Sequence, residues 1–185
     1  KKKYYLTGSS FNADNLIEDL LSNDDEGSKI TKINSNLEID IKKIILDSEY
    51  FLTDLKGEIS IKNKEIHKAE LIGSFSNNKK LKLTINSDNN NKITTLFVDE
   101  AKPFVKRYKF IKGFDEGSLD FYSSKKLNKS ISQIKIYDFK LKELPILTKI
   151  LTLASLQGIA DILSGEGIRF TEFEMNFKNE GNLMT

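Results

Sequence analysis

Residues 69–85 read AELIGSFSNNKKLKLTI, and this stretch decides the fold. Its apolar positions alternate, first Ala69, Leu71, Gly73 and Phe75, then Leu81, Leu83 and Ile85. A side-chain period of two sends one set of residues to each face of a β-strand. Asparagine tolerates the positive φ of a tight turn, so Asn77-Asn78 joins the two runs as a hairpin.

The pattern extends both ways. Upstream, Leu37, Ile39 and Ile41 alternate with Glu38, Asp40 and Lys42, and Leu55, Ile59 and Ile61 repeat the spacing before the short connection Asn63-Lys64. Downstream, Asp88 to Asn91 is another turn. Leu119 and Phe121, Ile131 to Leu141, and Phe173, Met175 and Phe177 against Glu172, Glu174 and Asn176 continue the two-residue period. The spans 29–98, 117–141 and 168–185 therefore read as strands of an antiparallel meander. One face of it is wet, and the apolar face needs a partner.

Three stretches break the period. Leu16, Ile17, Leu20 and Leu21 lie at helical spacing behind Asn12 and Asp14, predicting a short helix over 11–21, and the polar run Ser22 to Ser28 follows as a loop. Asp99 stands as the cap of a helix within 99–110, with Pro103 in its first turn. In 145–163 the polar positions Thr148, Lys149, Thr152, Ser155, Gly158 and Asp161 recur at three and four, predicting an amphipathic helix or a pair of helices. Pro145 opens it, and Ser164-Gly165-Glu166-Gly167 ends it with the glycines that helix termini prefer. Its apolar surface either covers the sheet as core or faces lipid, because leucine and acyl chains ask for the same neighbour.

The 185 residues suffice for one domain with a core. A net charge of +2 lacks the basic excess of a nucleic-acid binder, and none is expected as a partner. Lys102, Lys106, Arg107, Lys109 and Lys112 interleave with Phe104, Tyr108 and Phe110, which suits either stacked bases or lipid head groups, or simply a solvated helix face. Without cysteine there is no disulfide or thiolate metal site. Leu144 to Leu163 carries Lys149, Gln157 and Asp161, which argues against a transmembrane span. A first residue Lys1 and an end inside a strand pattern read as part of a longer protein.

Catalysis needs convergent titratable groups, and the chain has one histidine, His67, read as a solvent-facing strand residue. Asn23 to Gly27 lacks the alternating oxygen ligands of a calcium loop. Gly165-Glu166-Gly167 follows a helix rather than a strand and is a turn, not a dinucleotide motif. No enzyme activity, metal or cofactor is expected.

Ile134 to Gly181 resembles the C-terminal region of the AsmA-like family, the large YhdP type with its TamB relatives. The residues that carry the likeness are Asp138-Phe139, Leu144-Pro145, Leu147, Leu151, Ala154-Ser155-Leu156, Gly158, Leu163 to Ile168, Phe170 and Phe177. Asp99-Glu100-Ala101 followed by Gly113, Gly117 and Leu119 is similar to an upstream family pattern, from which Lys102 and Glu116 depart. Phe11 to Leu21 looks like the short helix that precedes the strands in these proteins.

The resemblance implies a mainly β fold with a few short helices (β-rich α+β). In it a long curved antiparallel sheet forms a groove, with an amphipathic helical segment packed at one end. It also implies the periplasmic portion of an inner-membrane-anchored protein of a Gram-negative cell. Such proteins are thought to pass phospholipid toward the outer membrane and serve its biogenesis. The expected partners are phospholipid acyl chains, the rest of the parent chain and other envelope proteins. The residues expected to line or close the groove are Leu83, Phe121, Ile146, Ile150, Leu153, Leu156, Ile159 and Phe170. The competing expectation is a structural cap or docking module that touches no lipid.

Overall fold

The computed structural model describes residues 2–14, 34–63, 65–88, 91–106, 112–143, 164–165, 167–180 and 183–184. Eleven strands form one open, curved sheet. They are β1 (Lys2–Gly8), β2 (Phe11–Asn12), β3 (Ser35–Ile45), β4 (Phe51–Lys62), β5 (Glu65–Phe75), β6 (Lys80–Asp88) and β7 (Asn91–Val98). After the helical turn α1 (Lys102–Val105) come β8 (Phe114–Lys126), β9 (Lys129–Leu141), β10 (Ile168–Glu180) and β11 (Leu183–Met184).

From β4 onward each strand pairs antiparallel with its predecessor in the chain. The expected meander is therefore present, and Asn63 and Asn78 take the positive φ angles of its turns, 52° and 63°.

The N-terminal edge departs from expectation. β1 and β2 pair with β3 in parallel. Phe11 and Asn12, expected to open a helix, are strand residues because their backbone aligns with Ile44 and Ile45, and the Ala13 N–H donates to the Ile45 carbonyl at 2.8 Å. The Asn12 side chain still accepts the Asp14 N–H at 3.0 Å. The rest of the predicted helix, 15–21, and the loop after it lie outside the described residues.

Among the described residues, the helix expected within 99–110 covers only Lys102–Val105. Pro103 sits in its first turn as its missing N–H allows, and is buried. Asp99 does not cap it. Ala101 holds that position, while the Asp99 carboxylate accepts the Lys80 backbone N–H across the sheet at 2.8 Å. The amphipathic segment 145–163 lies outside the described residues, so its packing at one end of the sheet remains an expectation. At its end Gly165 and Gly167 have φ of 72° and 84°.

Two clusters form the core. Ile39, Ile41, Ile44, Leu46, Leu52, Phe75, Leu81 and Val98 gather with Ala13 in the first, and Ala101, Val105, Phe114, Leu119, Ile136 and Phe139 in the second. Leu96 packs against both and joins them. Each large aliphatic or aromatic side chain buried here contributes about 1.5–3 kcal/mol.

Strict alternation would separate Ile41 from Ile44, and Ile136 from Phe139, yet each pair shares a cluster. The phase changes where the backbone turns left-handed, at Asp54 (φ 49°) beside the first pair and at Asp138 (φ 49°) opposite Gly117 (φ 82°) for the second. A Cβ on Gly117 would lie 2.8 Å from that of Phe139, so glycine lets this aromatic ring approach β8.

Candidate functional site

The cross-strand register assembles one row on the apolar face. Leu6 stands beside Ile39, Ile39 opposite Gly57, Gly57 opposite Leu71, and Leu71 opposite Leu83. The row continues through Leu96, Phe121 and Ile134 to Met175. Nine strands contribute to it without one polar side chain. At the usual strand separation it is about 38 Å long.

Leu83 and Phe121, two of the positions expected in a groove, are thus separated by a single strand and meet across Leu96. Both are half-buried. Phe170 stands apart from this row. Its ring stacks on Phe139 at the edge of the second cluster, where α1 also packs. Ile146, Ile150, Leu153, Leu156 and Ile159 lie outside the described residues. The connection that holds them leaves the sheet after Leu141 and rejoins it at Ile168, at the Phe114–Leu141 end.

The opposite end is different. One step from the apolar row, Ile85 faces Thr94, and then come Ser123 and Ser132. A further step reaches Ser87, Lys92, Lys125, Ser130 and Asn179. The face therefore grades from hydrocarbon through hydroxyl to ammonium over four residues of strand, about 13 Å.

There the hairpin ends of β4–β5, β6–β7 and β8–β9 converge on a cleft of about 440 Å³ lined by Lys62, Glu65, His67, Asp88, Lys92 and Lys125, among others. Burial holds the Lys92 ammonium below the usual lysine range; Glu65 opposes that shift and Lys125 adds to it. His67 is half-buried at this cleft rather than fully solvent-facing. Leu96, Lys92 and Lys125 were not singled out in the sequence, because their meaning depends on which residues face them across the strands.

The other face is charged and internally compensated. A hollow of about 610 Å³ over Gly57 is lined by Lys3, Lys56 and Lys68 and by Glu38, Glu58 and Glu70, three of each sign. Farther along, Lys135 bonds Glu172 and Glu174, which raise its pKa. Two lysines of the basic run after Asp99 are likewise engaged. Lys102 pairs with Asp115 at 2.8 Å and Lys106 with Asp47 at 2.9 Å. Lys102 and Lys142 hold the Asp115 carboxyl down to about 2.

Among the described residues no three His, Asp or Glu side chains gather as a metal site, and no helix is long and apolar enough to cross a membrane. No family model, curated protein or solved structure matches this chain.

Proposed function

We propose that this chain is a non-enzymatic segment of a bridge-like envelope protein, anchored in the inner membrane and periplasmic here, that passes phospholipid along an apolar groove toward the outer membrane. The observation that supports this reading is the unbroken apolar row from Leu6 to Met175. An acyl chain needs a dry, directionless surface longer than itself, and a row of Leu, Ile, Phe and Met side chains is such a surface. Its location and anchoring rest on the family resemblance of the tail.

The test is a photo-reactive amino acid at Leu83 or Phe121, irradiated in cells, followed by mass spectrometry of the adducts. Phospholipid adducts at both positions are expected, with none at Glu70 on the charged face. Protein purified without detergent that carries no phospholipid, and that yields no adducts, would sink the reading.

A structural or docking role is the second reading, favoured by the packing of Phe121 and Leu96 against the second core cluster. Ile150→Glu and Leu153→Glu separate the two. On the structural reading they unfold the domain; on the lipid reading they spare the fold and abolish transport.

A further inference from the structure

Lys92 and Lys125 stand directly opposite each other on neighbouring strands, on the face that carries Leu96 and Phe121. Like charges in this cross-strand arrangement repel and destabilise the pairing. Among the described residues no carboxylate lies within ion-pair distance of either one, although elsewhere on the sheet lysines pair repeatedly with acids. Glu65 and Asp88 also line the cleft, and Glu65 is the carboxylate whose field reaches Lys92, but neither closes on the pair. Two lysines opposite each other in the register, one of them half-buried, offer an anion two cationic donors at one place.

The position narrows the kind of anion. The pair terminates the apolar row's face after a band of hydroxyls, Thr94, Ser123 and Ser132. A free phosphate would use the ammonium groups and leave the hydrocarbon band empty. A molecule with an anionic head and an apolar tail matches both at once.

We propose that Lys92 and Lys125 hold the head group of an anionic phospholipid whose acyl chains lie over Leu96 and Phe121. This inference rests on the groove reading and adds to it a ligand class, an orientation and a fixed entry end, the end of the β6–β7 and β8–β9 hairpins. The ammonium groups donate hydrogen bonds to the phosphate oxygens, and the shared anion removes their mutual repulsion.

The test uses the chain of residues 1–185 incubated with neutral vesicles doped with radiolabelled phosphatidylglycerol or with phosphatidylcholine of identical acyl chains. Lipid retained by the protein is counted after gel filtration. Wild type is expected to retain phosphatidylglycerol about tenfold over phosphatidylcholine, whose own choline cation offsets the phosphate charge that the two lysines would read. The double variant Lys92→Gln/Lys125→Gln loses that preference and keeps its phosphatidylcholine.

Equal retention of the two lipids by wild type, or a preference untouched in the double variant, overturns the head-group site and leaves the groove standing. Retention of neither lipid overturns the groove itself. Inorganic phosphate at millimolar concentration is not expected to displace the bound lipid; complete displacement would show that the site reads free phosphate and would overturn the proposal. Thermal melting of lipid-free protein keeps the variants interpretable. Lys125→Gln is expected to melt at or above the wild-type temperature, and a lower value means the pair is compensated internally and the proposal fails.

Discussion

The ring of Phe170 lies on the ring of Phe139, with centroids 5.2 Å apart and planes 13° from parallel. Phe114 stacks on Phe139 as well, at 5.3 Å, so one buried ring ties β8, β9 and β10 together at the end where the chain leaves for 144–163. Phe139→Ala is expected to cost about 3–5 kcal/mol. Phe170 is only half-buried, and Phe170→Ala should cost about half as much. Urea unfolding monitored by circular dichroism measures both, and equal losses would show that the stack is not centred on Phe139.

Gly57 is the one residue of the apolar row that contributes no side chain. A Cβ there would lie 1.8 Å from the Glu70 carbonyl oxygen, and its φ is 150°. Gly57→Ala must push β4 from β5 and is expected to cost more than about 3 kcal/mol. Gly165→Ala is the control, since nothing lies within 4 Å and only its φ of 72° is penalised. That costs about 1 kcal/mol. Comparable melting temperatures for the two variants would contradict the close approach.

Asp115 predicts the acid limb of stability. Lys102 and Lys142 lower its folded pKa to about 2 from an unfolded value of 3.8. A lowered carboxylate pKa stabilises fully above the unfolded value, and this is lost as pH falls through the folded one, here between about 4 and about 2. Asp115→Asn should cost on the order of 1 kcal/mol at pH 7 and only a small part of that at pH 2. Melting curves at pH 7, 4 and 2 check this, and a gap between wild type and variant that is undiminished at pH 2 would refute it.

β10 pairs with β9 along its length, but among the described residues only Asn179 and Glu180 have partners on its other side, in β11. Phe173 and Met175 are exposed on this edge at 44% and 41%. An open, apolar-faced edge is a template for further strands. Met175→Lys is expected to shift stability by less than about 0.5 kcal/mol while reducing concentration-dependent association in analytical ultracentrifugation. An unchanged sedimentation profile would mean that this edge does not associate.

The strands were legible wherever one face is buried, because burial on one side is what imprints a period of two. Leu81, Leu83 and Ile85 show it, and so do Phe173, Met175 and Phe177. β1 carried no such imprint. All of Lys2 to Gly8 is exposed, and a strand held chiefly by backbone pairing to β3, with one exposed ion pair from Lys3 to Glu38, places little demand on its side chains. Asp99 misled for a related reason: a cap is a local inference, and a backbone N–H from Lys80, nineteen residues away, took the carboxylate first.

The candidate site was legible only in part. Leu83 and Phe121 were identifiable as apolar positions, but their meeting across Leu96 is a property of register. Lys92 and Lys125 are thirty-three residues apart in the chain and read singly as polar residues flanking turns. Nothing short of the pairing of β7 with β8 makes them neighbours.

From β3 to β11 each strand touches chiefly the strand before and the strand after it in sequence. Such an order is nearly one-dimensional, so stability adds up link by link and structure is lost most readily from the ends. Amide hydrogens of β5, β6 and β7 should then exchange slowest, and those of β1 and β10 fastest. For the lipid-carrying surface proposed above, this gives a firm middle between two yielding margins, so that the β6–β7 hairpin end, where a head group would be held, keeps its shape while the edges open and close.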